Sequence, residues 1–219
     1  PKMLDEMFGM QFNTAFEDVL HFEGRPRSRM DVMHGDARTS LEQVVQPADL
    51  IVFSPPYPNS FDYTDIYNVE LWVLGYIGCS QDNLRLRRDT LRSHVQIHRP
   101  YEMPHHPSAR LDATLAALNQ QRGQLWDDNI PPMVGAYFRD IEMVLIQCHR
   151  LLTRRGKVMM VVGDSRYANV RIEVATIIAE IAKCLSFRRV VTREVRQMRS
   201  SAQQGGRFQL SESIVELAH

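Results

Sequence analysis

Apolar residues at the start of this chain recur at the spacing of a helix. Leu4, Phe8, Phe12, Phe16 and Leu20 follow one another every four residues. Side chains at this spacing share one face of a helix, so the pattern predicts an amphipathic helix. A polar break follows at residues 24–28. We therefore expect residues 1–29 to form a helix and a linker, and residues 30–219 to form the main domain.

Beyond residue 30, short apolar runs alternate with longer helical patterns. Strands are predicted at Asp31–His34, Asp49–Phe53, Val158–Val162, Arg188–Arg196 and Leu210–Leu217. Helices are predicted from about Ser40 and at Tyr63–Ile77, Val134–Leu152 and Arg171–Leu185, the third closed by Arg154-Arg155-Gly156. This alternation indicates an α/β fold with a mostly parallel sheet covered by helices.

One predicted strand ends in an unusual turn. Leu50–Phe53 is apolar and is followed directly by Ser54-Pro55-Pro56-Tyr57. Both prolines lack an N–H and have a fixed φ, and the residue before a proline is held extended. We expect a stiff turn that directs backbone carbonyls and one hydroxyl outward beside an aromatic ring. An ordinary strand-ending turn is the alternative. Pro-Pro-Tyr also occurs in ligands of WW domains, but those lie in polar, disordered segments.

Ser54-Pro55-Pro56-Tyr57 resembles the catalytic motif of the amino-group DNA methyltransferases. These enzymes methylate adenine at N6 or cytosine at N4 with S-adenosylmethionine, and serine at the first position resembles the cytosine-N4 branch. The resemblance extends from about Met30 to the C-terminus and is weakest between Ser80 and Pro132. It implies a Rossmann-like methyltransferase fold with an antiparallel last strand, and Ser54, Pro55, Pro56 and Tyr57 as catalytic residues.

The resemblance also suggests where the cofactor binds. Gly35-Asp36 precedes the motif strand at the distance at which the family places a Gly-Asp beside the cofactor. Gly163-Asp164 follows the strand Val158–Val162. In open α/β sheets ligands bind at the carboxyl ends of the strands. Gly35, Asp36, Ser54 and Asp164 are therefore the expected cofactor-binding residues, at one edge of the sheet.

The glycine-rich turn of such folds is missing from this sequence. The chain has 11 glycines but no Gly-x-Gly, and its one adjacent pair is Gly205-Gly206. Only glycine lets the backbone approach the cofactor closely in such a turn. The first strands of the fold are also unaccounted for before Met30. Either another segment or a second chain supplies the loop, or the chain is a degenerate subunit that has lost the cofactor.

The implied chemistry needs no covalent enzyme intermediate. The Ser54 hydroxyl and the Pro55 carbonyl would accept the two N–H bonds of an exocyclic amine and turn its lone pair towards the methyl donor. Duplex DNA hides this nitrogen, so the base must be flipped out, and Tyr57 would stack on it. The function expected is that of a restriction-modification DNA methyltransferase, with a non-catalytic nucleic-acid-binding or assembly subunit as the alternative.

Charge suggests where DNA would bind. Lys and Arg balance Asp and Glu at 26 each, so the net charge is zero and a nucleic acid must find a local basic patch. The segment 80–132 is rich in basic residues and resembles a substrate-recognition insertion. Its candidate DNA contacts are Arg85, Arg87, Arg88, Arg92 and His94. A solvated surface loop is the alternative.

A second basic cluster lies near the C-terminus. Arg193, Arg196, Arg199 and Arg207 surround Ser200-Ser201 and resemble the family's closing loop. This cluster could contact the DNA backbone or the cofactor, or it could be a charged exposed loop.

Other features limit the range of partners. Three cysteines at unpaired spacing favour free thiols, and His105-His106 lacks accompanying ligands, so no metal site is predicted. The sequence has no apolar run of membrane length and no signal peptide, which favours an intracellular protein that binds no membrane.

Overall fold

The chain divides into two units, which are described separately. The computed structural model describes residues 2–24, 28–59, 62–199 and 209–219. The units are Pro1–His34 and Gly35–His219.

The first unit contains the predicted helix, α1, at Lys2–Phe22. Its apolar stripe is exposed, and the rings of Phe8, Phe12 and Phe16 stack in sequence with 6.4 Å between successive centroids. The predicted strand at Asp31–His34 is wrong, because these residues form neither a strand nor a helix. Val32 is 99% exposed, so the apolar pattern at this position does not form part of a core.

A four-stranded sheet forms the centre of the second unit. Its strands are β1 (Ala48–Phe53), β2 (Leu152–Gly163), β5 (Arg189–Arg199) and β6 (Gln209–Ala218), in the order β1-β2-β6-β5. β1 and β2 are parallel, and β6 is antiparallel to both β2 and β5. Three strands therefore point one way and the last strand runs between two of them in the opposite direction. This confirms the α/β class and the antiparallel last strand, although the insertion of β6 leaves one adjacent parallel pair.

Three helices form the core together with this sheet. They are α5 (Ala109–Gln120), α6 (Ile130–Leu151) and α7 (Val174–Cys184). Alternate β2 residues Val158, Met160 and Val162 point into this core and are at most 1% exposed. On β1, Leu50 and Val52 are 60% and 64% exposed. β1 also has no neighbour on its second edge among the described strands.

Several element boundaries differ from those predicted. The predicted helix Tyr63–Ile77 is two short helices, α2 (Tyr63–Ile66) and α3 (Asn68–Val73), and the helix near Ser40 is a 3-10 helix at Ser40–Gln43. Arg154-Arg155-Gly156 does not close a helix but lies within β2.

A two-stranded hairpin replaces the start of the predicted helix Arg171–Leu185. Its strands are β3 (Ser165–Tyr167) and β4 (Val170–Ile172). Ala168 and Asn169 both have positive φ at its turn, which the sequence did not suggest because neither is a glycine.

The segment 80–132 is folded into the second unit. It contains α4 (Ser80–Asp89), α5 and a 3-10 helix at Arg122–Gln124. Leu111 and Leu118 on α5 are 3% and 0% exposed and belong to the main core. Its assignment as a substrate-recognition insertion stays a prediction.

Two kinds of feature are absent from the described part of the chain. None of the described helices has the length and apolar character needed to cross a membrane. Within the same residues, His, Cys, Asp and Glu side chains form no group of three that could hold a metal ion.

Candidate active site

The serine of the motif closes the parallel ladder with its side chain. Phe53 pairs with Met160, and the Ser54 hydroxyl donates to the Val161 carbonyl at 3.0 Å. Pro55 has no N–H with which to extend the ladder. Because the hydroxyl proton is donated to Val161, the Ser54 oxygen can act as a hydrogen-bond acceptor.

Tyr57 lies across the end of the neighbouring strand. A Cβ on Gly163 would come within 2.5 Å of Tyr57 Cε2, so the ring is packed directly on the backbone of this glycine. The Tyr57 hydroxyl donates to Glu212 Oε1 at 2.9 Å. Burial and the charge and hydrogen bond of Glu212 raise the pKa of the phenol to about 12, against a hydrogen bond with Ser54 that lowers it.

Asp164 lies at the same sheet edge, but its carboxylate is hydrogen-bonded to other residues of the fold. It follows Gly163 and is 7% exposed. Its carboxylate accepts from the Arg171 guanidinium at 2.6 Å and 2.8 Å and from the Val174 N–H at 3.0 Å, at the start of α7. Burial raises the pKa of this carboxyl, although Arg171 lowers it. These bonds join the hairpin to α7.

Asp36 and Gly35 form a separate turn. The Asp36 carboxylate accepts from the Arg38 side chain at 2.6 Å and from its N–H at 2.9 Å. Burial acts to raise the pKa of Asp36, but the hydrogen bonds from Arg38 outweigh it and the pKa is lowered. A Cβ on Gly35 would lie 2.0 Å from Ser40 Oγ, so a larger residue here would displace the Ser40 side chain. Arg38 in turn pairs with buried Asp140 at 3.0 Å.

The expected cofactor residues are therefore only partly brought together. Ser54 and Asp164 follow neighbouring parallel strands, as predicted, whereas Asp36 does not follow a strand. Both aspartates are already satisfied by cations and N–H groups of the fold. At these positions the chain offers no free carboxylate for a cofactor.

The segment after the motif is fixed by a buried ionic cluster. Asp62, 5% exposed, accepts from Thr64 N at 2.9 Å as the N-cap of α2. Arg87 Nε lies 2.5 Å from its carboxylate, and His94 Nε2 lies 3.3 Å away. Burial acts to raise the pKa of Asp62, but its hydrogen bonds and cationic neighbours lower it. This cluster attaches α4 to the chain that leaves the motif.

The five candidate DNA contacts fall into two groups. Arg87, Arg92 and His94 are engaged internally; Arg92 pairs with Asp140, and its N–H donates to the same carboxylate at 2.8 Å. These three side chains have partners within the fold, and their role as DNA contacts stays a prediction. Arg85 and Arg88 are exposed on α4, where the nearest carboxylate to Arg85 is Asp82 at 3.9 Å.

The second basic cluster lies partly outside the described residues. Ser200-Ser201, Gly205-Gly206 and Arg207 are not described. Within β5, Arg196 pairs with Glu212 at 3.0 Å. At Arg199 the structure describes the backbone alone.

Sequence reasoning missed three residues around Tyr57. Glu212 is 155 positions from its tyrosine partner, and no local spacing indicates such a pair. Gly163 was seen only as the neighbour of Asp164. Tyr137 is fully buried on α6 near Tyr57 and Asp140, and its hydroxyl has no hydrogen-bond partner among the described residues. An apolar helical pattern gave no reason to single it out.

Comparison with known proteins gives one consistent group of relatives. Type II methyltransferase M.AvaI, from Nostoc sp. (strain PCC 7120) and from Anabaena variabilis, is 31% identical over 196 residues, which is 84% of this chain and 39% of the relative. Type II methyltransferase M.BsoBI of Geobacillus stearothermophilus is 28% identical over 192 residues, 76% of this chain and 37% of the relative.

These relatives are much longer than the chain. It spans 39% of M.AvaI and 37% of M.BsoBI. No protein-family profile and no solved structure matches it. Most of this chain is therefore homologous to a part of the type II methyltransferases.

Proposed function

We propose that this chain is the base-holding part of a site-specific DNA methyltransferase. Its substrate is the exocyclic amine of a flipped base, with cytosine N4 favoured over adenine N6, and its methyl donor is S-adenosylmethionine. The observation that carries this proposal is the position of Ser54, at the carboxyl end of β1 with its hydroxyl proton donated to Val161. Similarity to type II methyltransferases over 84% of the chain supports it.

The geometry at Ser54 suits an amine that donates two hydrogen bonds. An exocyclic amine is a poor nucleophile because its lone pair is delocalised into the ring. Ser54 Oγ, held as an acceptor, and the Pro55 carbonyl would take its two N–H bonds and draw the nitrogen towards tetrahedral geometry. Catalysis then comes from positioning and electrostatics, and Ser54 does not act as a nucleophile.

Tyr57 would hold the ring of the base. The amine of a paired base is enclosed in the duplex, so the nucleotide must rotate out before it can reach Ser54. An aromatic ring beside the acceptors gives the flipped base a surface on which to stack. Arg85 and Arg88 on α4 would contact the phosphates that flank it.

The methyl donor requires more polypeptide than these residues supply. S-adenosylmethionine would provide an electrophilic methyl group. Asp36 and Asp164 are bonded within the fold, and the chain has no Gly-x-Gly turn. The residues present therefore do not form a complete site for this cofactor. We propose that another segment, of the same or a second chain, supplies the glycine-rich loop.

Methyl transfer from labelled S-adenosylmethionine tests this function. The chain would be assayed alone and with any polypeptide that co-purifies with it, with mass analysis of the methylated nucleosides. Ser54→Ala and Tyr57→Ala should abolish transfer while the circular dichroism spectrum stays unchanged. Retained activity in both variants would refute the assigned pocket. N6-methyladenine as the product would refute the preference for cytosine.

The second candidate function is a non-catalytic nucleic-acid-binding or assembly subunit. It is favoured by the internal bonding of Asp36 and Asp164, which leaves no free carboxylate at either position. Calorimetric titration with S-adenosylmethionine separates the two functions. Binding by the chain, or by its complex with a co-purifying polypeptide, supports the enzyme. No binding in either case, together with retained DNA binding, supports the subunit.

A further inference from the structure

Glu212 lies at a junction of three strands beside Tyr57. Its backbone pairs with Gly163 of β2 on one side and with Arg196 of β5 on the other. The Tyr57 ring crosses Gly163 to reach the Glu212 carboxylate, and the bond from its hydroxyl is 2.9 Å long. Three segments distant in the sequence thus meet at one side chain.

An irregularity in β5 brings a cation to the same carboxylate. The pairing of β5 with β6 shifts between Glu194 and Arg196, so Val195 is an extra residue in the ladder. Because side chains alternate between the two faces of a strand, one extra residue reverses the face of everything after it. Arg196 consequently stands opposite Glu212 and its guanidinium lies 3.0 Å from Glu212 Oε2.

From this arrangement we infer that Glu212, itself held by Arg196, is the positioning residue that fixes the ring of Tyr57 against Gly163. The inference rests on the proposed function, because the ring so fixed is the one on which a flipped base would stack. Tyr57 has its hydroxyl anchored at one end and its backbone constrained by Pro55 and Pro56 at the other. The ring is therefore set before a base arrives, which lowers the entropic cost of stacking.

The two carboxylate oxygens of Glu212 have different partners. Oε1 accepts from the Tyr57 hydroxyl, while Oε2 pairs with Arg196. An isosteric glutamine keeps the size of the side chain but removes its charge, and with it the ion pair that orients it. Glu216 provides a matched control, because it lies on the same strand and is ion-paired with Lys157 and Arg189, at 3.1 Å and 3.2 Å.

Titration of the tyrosines tests this inference without any enzymatic activity. The full 219-residue chain would be labelled at tyrosine Cζ and followed by NMR, with Tyr57→Phe used to assign the Tyr57 signal. In the wild type the Tyr57 phenol should ionise near pH 12, well above free tyrosine. Glu212→Gln should shift this ionisation towards the ordinary value of about 10, and Glu216→Gln should leave it unchanged.

Several results would overturn the inference. They are an ordinary pKa for Tyr57 in the wild type, no shift in Glu212→Gln, or an equal shift in Glu216→Gln. If Glu212→Gln does not fold, Arg196→Gln replaces it, because it removes the cation that holds Glu212, and an unchanged Tyr57 titration there would overturn the inference. All of these results are independent of methyl transfer, so the inference can fail while the proposed function stands.

A double-variant measurement extends the test to an active preparation. Glu212→Gln and Tyr57→Phe should each lower kcat/KM roughly tenfold, the effect of one charged hydrogen bond. Because both act through the same bond, the double variant should also lose about tenfold. A loss near a hundredfold would mean that Glu212 acts independently of Tyr57 and would overturn the inference.

Discussion

The Asp62 carboxylate and the Arg87 guanidinium lie 2.5 Å apart, with side chains 1% and 17% exposed. Asp62 also caps α2 and contacts His94. This aspartate is five residues beyond Tyr57, so the cluster ties the motif to α4. Arg87 was expected to contact DNA, but its position shows that a basic residue in a basic segment can be an internal partner.

Asp62→Ala should cost about 3 kcal/mol of unfolding free energy. The substitution removes the N-cap of α2 and leaves the largely buried Arg87 cation without its closest carboxylate. Asp65→Ala is the control, because Asp65 also pairs with Arg87, at 3.1 Å, but its side chain is 51% exposed. Denaturant titration of both variants measures the difference. Equal losses of unfolding free energy in the two variants would show that the burial of Asp62 does not determine the size of the effect.

Stability should fall as the pH is lowered from 6.5 to 4 because of His94. Burial and the Arg99 and Arg87 cations lower its pKa to about 4, against the Asp62 carboxylate, which raises it. Between these pH values the unfolded chain binds a proton that the folded chain does not. The loss attributable to His94 should reach about 3 kcal/mol at pH 4.

Denaturant titrations across this range, on wild type and His94→Gln, measure that contribution. The variant should be less sensitive to pH. Some dependence of the same sign should remain, because burial and His219 also lower the pKa of His149. The exposed His34 provides the control, and His34→Gln should behave as the wild type. An unchanged slope in His94→Gln would contradict the assignment.

Gly163→Ala should displace the ring of Tyr57. The new Cβ would lie 2.5 Å from Tyr57 Cε2 and 2.6 Å from Met198 Cε, so at least one of them must move. We expect the Tyr57–Glu212 bond to break and methyl transfer to fall about tenfold or more. Gly123→Ala is the control, since its Cβ would meet nothing within 4 Å. A Tyr57 titration like that of the wild type would refute the close contact.

Arg88→Ala and Arg85→Ala should weaken DNA binding without loss of stability. Both side chains are exposed, and each lost phosphate contact should reduce the slope of log affinity against log salt by about 1. Arg87→Ala should instead lower the melting temperature. Fluorescence anisotropy at several salt concentrations, beside thermal melts, measures both effects. If the slope of log affinity against log salt is unchanged in Arg85→Ala and Arg88→Ala, the DNA-binding surface does not include these residues of α4.

Regular apolar periodicity predicted much of this fold. The runs Asp49–Phe53 and Val158–Val162 became β1 and the core of β2 because each is continuously apolar and has a partner. The run at Asp31–His34 has only two apolar residues, Val32 and Met33, and no partner strand among the described residues. The hairpin at Ala168-Asn169 escaped prediction because Asn169 is only a weak turn signal without a neighbouring glycine, and alanine rarely adopts positive φ.

The candidate site was predictable where its residues are local. Ser54-Pro55-Pro56-Tyr57 is contiguous, and its place at a strand end follows from the prolines. Glu212 and Asp62 could not be found this way, because their roles arise from contacts across 155 and 25 residues. The sequence also did not show that Arg87 and Arg92 have buried carboxylates as partners.

β1 is hydrogen-bonded on one side and open on the other among the described strands. The serine of the motif is therefore carried by a border strand, whose backbone amides should exchange with solvent sooner than those of the enclosed β2. A strand that paired with this open side would slow the exchange of the β1 amides. It would also restrict the motion of Ser54. The order of the strand end that carries Ser54 should therefore depend on whether this edge is covered.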